Sequence, residues 1–173
     1  MPVITRRAAL GGLAALGGLA ALAATPARAD APLWPNVDLV DAAGVQFQVG
    51  ASSAQLTVVH IWAHWCGPCL AELPGLANVA QRMGSRAHVL LMSHPQNWAA
   101  DVAYAQRRGL PFRLATLAPG AAPWVRPAVF EEHDGRYAVP RTLLFRRGDQ
   151  VAMGADARWD SPAAVARLAQ LAS

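Results

Sequence analysis

The sequence predicts an α/β chain: a central mixed β-sheet flanked by helices, with an extra β-hairpin at its N-terminal side. Three observations predict it. Leu56–Trp62 and Ala87–Met92 are nearly continuous apolar runs, as expected of strands buried on both faces. The segments that follow them, from Gly67 and from Asn97, switch to helical periodicity. Near the C-terminus, two short apolar runs flank Gly148-Asp149, the turn chemistry of an antiparallel hairpin.

The chain has 173 residues, 54% of them hydrophobic and 15% charged, which excludes an intrinsically disordered protein. Residues 1–29 read as an export signal. Thr5-Arg6-Arg7 precedes an apolar run from Leu10 to Ala24, too short for a membrane-spanning helix, and Ala27-Arg28-Ala29 supplies a cleavage pattern. The paired arginines resemble the twin-arginine signal of bacteria. Residues 30–173 are then the expected functional domain, located in the periplasm, where disulfides persist. All 15 basic residues are Arg, and without Arg6, Arg7 and Arg28 there remain 12 against 11 acids. That balance gives no electrostatic footprint for nucleic acid. Two cysteines exclude a multi-bridge disulfide scaffold and a four-cysteine zinc site.

Asp38 to Val49 predicts the hairpin, with a turn at Ala43-Gly44 and Val45, Phe47 and Val49 alternating behind it. Leu56–Trp62 is the first buried strand. The next helix runs from Gly67, with Leu70, Leu73, Leu76, Ala80 and Met83 on one face, Pro74 as a kink and Gly84 as its stop. Ala87–Met92 is the second buried strand. Asn97 is the expected N-cap of a helix through Arg108, with Trp98, Val102 and Ala105 turned inward and Gly109 as terminator. Phe112–Leu117 reads as a short strand. Residues 118–138 read as loop, with a helical turn or two near Ala128–His133. Thr142–Phe145 and Gln150–Met153 form the late hairpin. Ser161-Pro162 opens a last helix with Val165, Leu168 and Leu171 as its core face.

The chemistry is expected at Trp65-Cys66-Gly67-Pro68-Cys69, where a buried strand ends and a helix begins. A helix N-terminus carries partial positive charge and free N–H groups, so a thiolate at Cys66 is stabilised there. Cys69 is one helical turn away, within reach of Cys66. Gly67 permits the tight turn, and Pro68 needs no N–H donor in the first turn. Trp65 offers an apolar shoulder on which a substrate peptide can lie. A metal half-site would need two further ligands from His60, His64, His88, His94 and His133, and no metal is expected. His64 reads as an exposed loop residue that could help stabilise a nearby thiolate. Trp98 and Trp124 read as core or groove filler.

Val59-His60-Ile61-Trp62-Ala63-His64-Trp65-Cys66-Gly67-Pro68-Cys69 resembles the active-site strand and loop of thioredoxin-fold proteins. Pro74 resembles the proline within their first helix, and Val139-Pro140-Arg141-Thr142-Leu143-Leu144-Phe145 resembles their second signature, a cis-proline before a strand. With the export signal and Glu72, three residues after Cys69, the sequence resembles the TlpA/ResA-like branch.

The resemblance implies a thioredoxin fold and an exported thiol–disulfide oxidoreductase with a redox-active Cys66–Cys69 disulfide and no other cofactor. Cys66 would attack and Cys69 resolve, Val139 and Pro140 would present backbone to a substrate strand, and Glu72 would tune proton transfer. His60 stands where thioredoxins carry a buried Asp and many exported relatives an Asn. On a buried strand it is expected to stay neutral, either accepting the proton of Cys69, a role for which Glu72 is the other candidate, or serving as a hydrogen-bonded structural residue. Gly67-Pro68 is the dipeptide of thioredoxin, which favours a reductant of periplasmic protein disulfides. A reductant there implies a membrane electron donor of the DsbD/CcdA type; the protein is expected to act as a monomer. Ala138 and Arg141 stand where cytochrome c maturation members tend to carry Gly and Glu, so the partner interface differs from theirs. The competing class is a periplasmic copper-binding chaperone using the same cysteines, for which no Met-rich or His-rich tract speaks.

Overall fold

The computed structural model describes Trp34, residues 36–154, Trp159 and residues 161–173. The export signal expected at 1–29 lies outside these residues. The elements are β1 (Asp38–Asp41), β2 (Gln46–Gln48), β3 (Leu56–Trp62), α1 (Gly67–Met83), β4 (Ala87–Ser93), α2 (Trp98–Arg108), β5 (Arg113–Leu117), α3 (Val125–Phe130), β6 (Arg141–Arg146), β7 (Asp149–Gly154) and α4 (Pro162–Leu171).

One seven-stranded sheet has the order β2-β1-β5-β4-β3-β6-β7. The β3–β4 and β4–β5 pairs are parallel, joined through α1 and α2. The β3–β6 and β6–β7 pairs are antiparallel, so the late hairpin docks against the central β3. The early hairpin pairs Leu39 with Phe47 and extends the sheet beyond β5 through antiparallel pairing of Leu39 with Leu117. Asp41 closes its turn: one carboxylate oxygen accepts the N–H groups of Ala43 and Val45.

Strand parity divides the core. Val58, Trp62, Val89, Leu91, Leu114 and Leu144 pack with Leu73, Leu76 and Val79 of α1 and Leu168 of α4. Val59, Ile61, Leu90, Met92, Leu143 and Phe145 pack on the other face with Val129 and Phe130 of α3 and with Trp34, Val37 and Leu39. Every residue of β3 is buried, as a strand covered on both faces requires. Parity also places His60 on the same face as Val58 and Trp62, beneath α1.

Several expectations are corrected. The early hairpin ends at Gln48: Val45 is exposed and Val49 turns into a 3-10 segment, where it is buried. In α1 the expected face packs against the core, with Leu70 and Ala80 half-buried at its edge, and Val79 joins it as a further buried residue. The third parallel strand starts at Arg113. The helix of the 118–138 segment starts at Val125, not near Ala128, because Pro127 falls in its first turn and needs no donor there. It stops at Glu131, which adopts a left-handed conformation. Asn97 occupies the N-cap position of α2 without a side-chain cap, its amide donating instead to the Tyr137 hydroxyl. Ser161 does cap α4, accepting from the Ala164 N–H at 3.1 Å.

Candidate active site

Cys66 and Cys69 form a disulfide at the N-terminus of α1. Cys66 is the N-cap residue; its Sγ accepts from the Cys69 N–H at 3.2 Å and its carbonyl from the Leu70 N–H at 3.0 Å. The Cys66 sulfur therefore replaces the side-chain oxygen of an ordinary cap and takes one of the helix's orphan donors. Cys66 is 4% exposed and Cys69 is fully buried, so an incoming sulfur meets Cys66 first. The turn that delivers it is closed by the Cys66 N–H donating to the Ala63 carbonyl at 3.0 Å. Trp65, inside that turn, is 56% exposed. Its ring meets Tyr137 edge-on at 6.4 Å, and Tyr137 stacks on His94 at 4.4 Å.

The Val139–Pro140 peptide is cis. Ile61 pairs with Arg141, the first residue of β6. Pro140 consequently lies at the end of the sheet where β3 runs out toward Cys66. Arg141 follows it with a buried guanidinium that donates to Glu131 at 2.6 Å and to the Val129 carbonyl at 3.2 Å. The charge that distinguishes this position from a Glu is thus engaged inside the fold.

Beneath α1, His60 Nδ1 lies 2.9 Å from Thr142 Oγ1 and 3.6 Å from Glu72 Oε2. Register explains the first contact, since His60 and Thr142 are directly paired across β3 and β6. Glu72 is 16% exposed, and the same oxygen accepts the Trp159 indole N–H at 3.1 Å. Burial holds the His60 imidazole down to about 4, so it is neutral at pH 7. Its Nε2 is buried and has no hydrogen-bond partner among the described residues.

The sequence pointed to His60 and Glu72 as separate candidates, whereas the fold brings them into one cluster. Thr142 and Trp159 were not anticipated. Thr142 could have been found by pairing β3 with the late hairpin; Trp159 carries no local signal. Two further expectations are corrected. His64 lies in the loop but is only partly exposed, because it is tied to the buried Asp101. Trp124 is 64% exposed, so it fills no core.

No protein-family model matches the sequence. Over 75 residues, 43% of this chain, it is 33% identical to a thioredoxin-like protein of Synechocystis sp., and the match spans 66% of that relative's length. Among solved structures, a thio-disulfide isomerase from Thermus thermophilus superimposes with a TM-score of 0.62 at 26% identity, covering 81% of this chain and 94% of the other. A secreted disulfide oxidoreductase of Mycobacterium tuberculosis, homologous to DsbE of E. coli, gives a TM-score of 0.53 at 20% identity over 83% of this chain and 98% of that one. The chain shares the thioredoxin fold with thiol–disulfide oxidoreductases of that superfamily.

Proposed function

We propose, from a thioredoxin fold whose structural neighbours are thiol–disulfide oxidoreductases, that this chain is an exported reductant of disulfides in periplasmic proteins. The observation that carries the reading is the disulfide between the helix-capping Cys66 and the buried Cys69. In the cycle, the Cys66 thiolate attacks a substrate disulfide, and the electron pair of the broken S–S bond leaves on the substrate's other sulfur. Cys69 gives its proton to neutral His60 and attacks Cys66. The second substrate thiolate departs, the substrate is reduced by two electrons, and the Cys66–Cys69 disulfide remains.

Glu72 acts on that proton transfer from its place beside His60. The substrate strand lies across Trp65 and pairs with the Val139 backbone before Pro140. Re-reduction is assigned to a membrane electron donor of the DsbD/CcdA type, and the working unit to a monomer. Export rests on the twin-arginine-like segment at 1–29 and agrees with a secreted neighbour. Among the described residues no helix is long and apolar enough to cross a membrane.

The test is covalent trapping. Cys69→Ser accumulates mixed disulfides with periplasmic proteins, and Cys66→Ser does not. Equal trapping by the two variants would refute the assigned roles. Stoichiometric copper on the reduced protein, with no insulin-disulfide reduction, would replace the reading with a copper chaperone.

A further inference from the structure

Asp101 is a fully buried acid in the first turn of α2. Its Oδ1 accepts two donors from one residue: the His64 main-chain N–H at 2.8 Å and the His64 ring Nδ1 at 2.7 Å. Its Oδ2 is buried and has no hydrogen-bond partner among the described residues. Its place in the first turn suits the partial positive charge of the α2 N-terminus, but its hydrogen bonds go to His64. Asp101 lies on the same stripe as Trp98 and Ala105, where an apolar residue would pack. A buried carboxylate is costly unless paired, and this one spends its paired oxygen on the turn that carries Cys66.

The hydrogen-bond polarity fixes the imidazole. Oδ1 is an acceptor, since the main-chain N–H donates to it, so Nδ1 carries a proton and Nε2 is the basic atom of the neutral ring. His64 is 33% exposed and precedes Cys66 by two residues, inside the turn closed by Cys66 and Ala63. The charged and titratable groups around the pair are the Tyr104 ring 6.3 Å from His64, Arg108 over that ring at 6.0 Å, and Tyr137, whose hydroxyl is raised chiefly by burial and also by the Asp101 charge.

We infer that His64, oriented by Asp101, is the proton acceptor for Cys66, so that the dithiol is served by two histidines: His64 at the rim for the attacking sulfur and His60 in the core for the resolving one. The inference rests on Cys66 being the attacking sulfur. The Cys66 proton passes to His64 Nε2, the thiolate forms a bond to one sulfur of the substrate disulfide, and the other sulfur leaves with the bonding pair. That leaving thiolate takes the proton back, and no further reactant is required. Asp101 touches no reacting atom and is a positioning residue.

The test uses the Cys69→Ser protein, in which Cys66 is the sole thiol. Its single-turnover attack on glutathione disulfide is followed from pH 5 to 9, together with thiolate absorbance at 240 nm. Adding His64→Ala is expected to slow the attack at pH 7 by at least about tenfold and to move the thiolate titration to higher pH. Asp101→Asn, whose carboxamide oxygen still accepts both N–H groups but carries no charge, is expected to lose less. Combined with His64→Ala, it is expected to add nothing. A His64→Ala protein with the parent's rate and titration overturns the inference, as does an Asp101→Asn loss that adds in full to that of His64→Ala. A parent that forms no adduct at all would instead refute the oxidoreductase reading.

Discussion

His60 Nδ1 lies 3.6 Å from Glu72 Oε2, the same carboxylate oxygen that the Trp159 indole holds at 3.1 Å. A strand residue and a helix residue twelve positions later thus share one polar cluster between β3 and α1, the helix that begins at the dithiol. A neutral imidazole beside a half-buried carboxylate can take a proton from the core and pass it outward.

His60→Asn tests the imidazole. Asn keeps hydrogen-bonding capacity toward Thr142, so the fold is expected to persist, while the proposed proton acceptor is lost. The decay of the mixed disulfide in single turnover is expected to slow by at least about tenfold, with a changed pH profile. Wild-type decay with the wild-type profile would leave Glu72 as the acceptor.

The same residue links stability to pH. Its folded value of about 4 lies below the ordinary 6.5, so between these values the unfolded chain binds a proton that the native one refuses. Stability is complete above about pH 6.5 and falls as the pH drops toward about 4, by on the order of 3 kcal/mol for His60. Burial lowers His94 in the same direction, against the opposing pull of Glu132. Urea midpoints of the oxidised protein are expected to fall from pH 7 to pH 4.5, and His60→Asn is expected to flatten part of that fall. An equal slope in the variant would contradict the assignment.

Trp159→Phe keeps an aromatic ring in the core cluster that also holds the cysteines and removes the hydrogen bond to Glu72. It is expected to cost about 1.5–3 kcal/mol, the range for bonds to charged groups, and to alter the resolving rate. A loss of stability with an unchanged resolving rate would confine Trp159 to packing.

Gly148, in the turn between β6 and β7, has φ +93°, and a Cβ there would lie 3.2 Å from the Gly50 backbone. Gly148→Ala is expected to destabilise by about 1–3 kcal/mol, read from urea unfolding, without changing the reactivity of Cys66.

Much of this fold is legible in the sequence because periodicity and punctuation agree. Leu56–Trp62 is a strand from its run of β-branched and apolar residues, and Gly84 and Gly109 stop helices with positive φ. Cys66 and Cys69 are legible because their spacing and place at a strand-to-helix junction carry the chemistry. What the sequence hides is long-range. Thr142 meets His60 only through the register of β3 with β6, 82 positions apart. Trp159 reaches Glu72 over 87 positions, with no local pattern to announce it. Asp101 is hidden for a different reason: an acid in the first turn of a helix is ordinary there until its partner is seen.

The reduction potential of the Cys66–Cys69 pair is the most direct measurement. Reduced and oxidised protein are equilibrated in glutathione buffers of graded ratio, and the disulfide fraction is quantified after acid quench. A reductant is expected to show one two-electron transition near about −270 mV, the thioredoxin value. A transition near or above roughly −150 mV, toward the oxidant DsbA, would contradict the account.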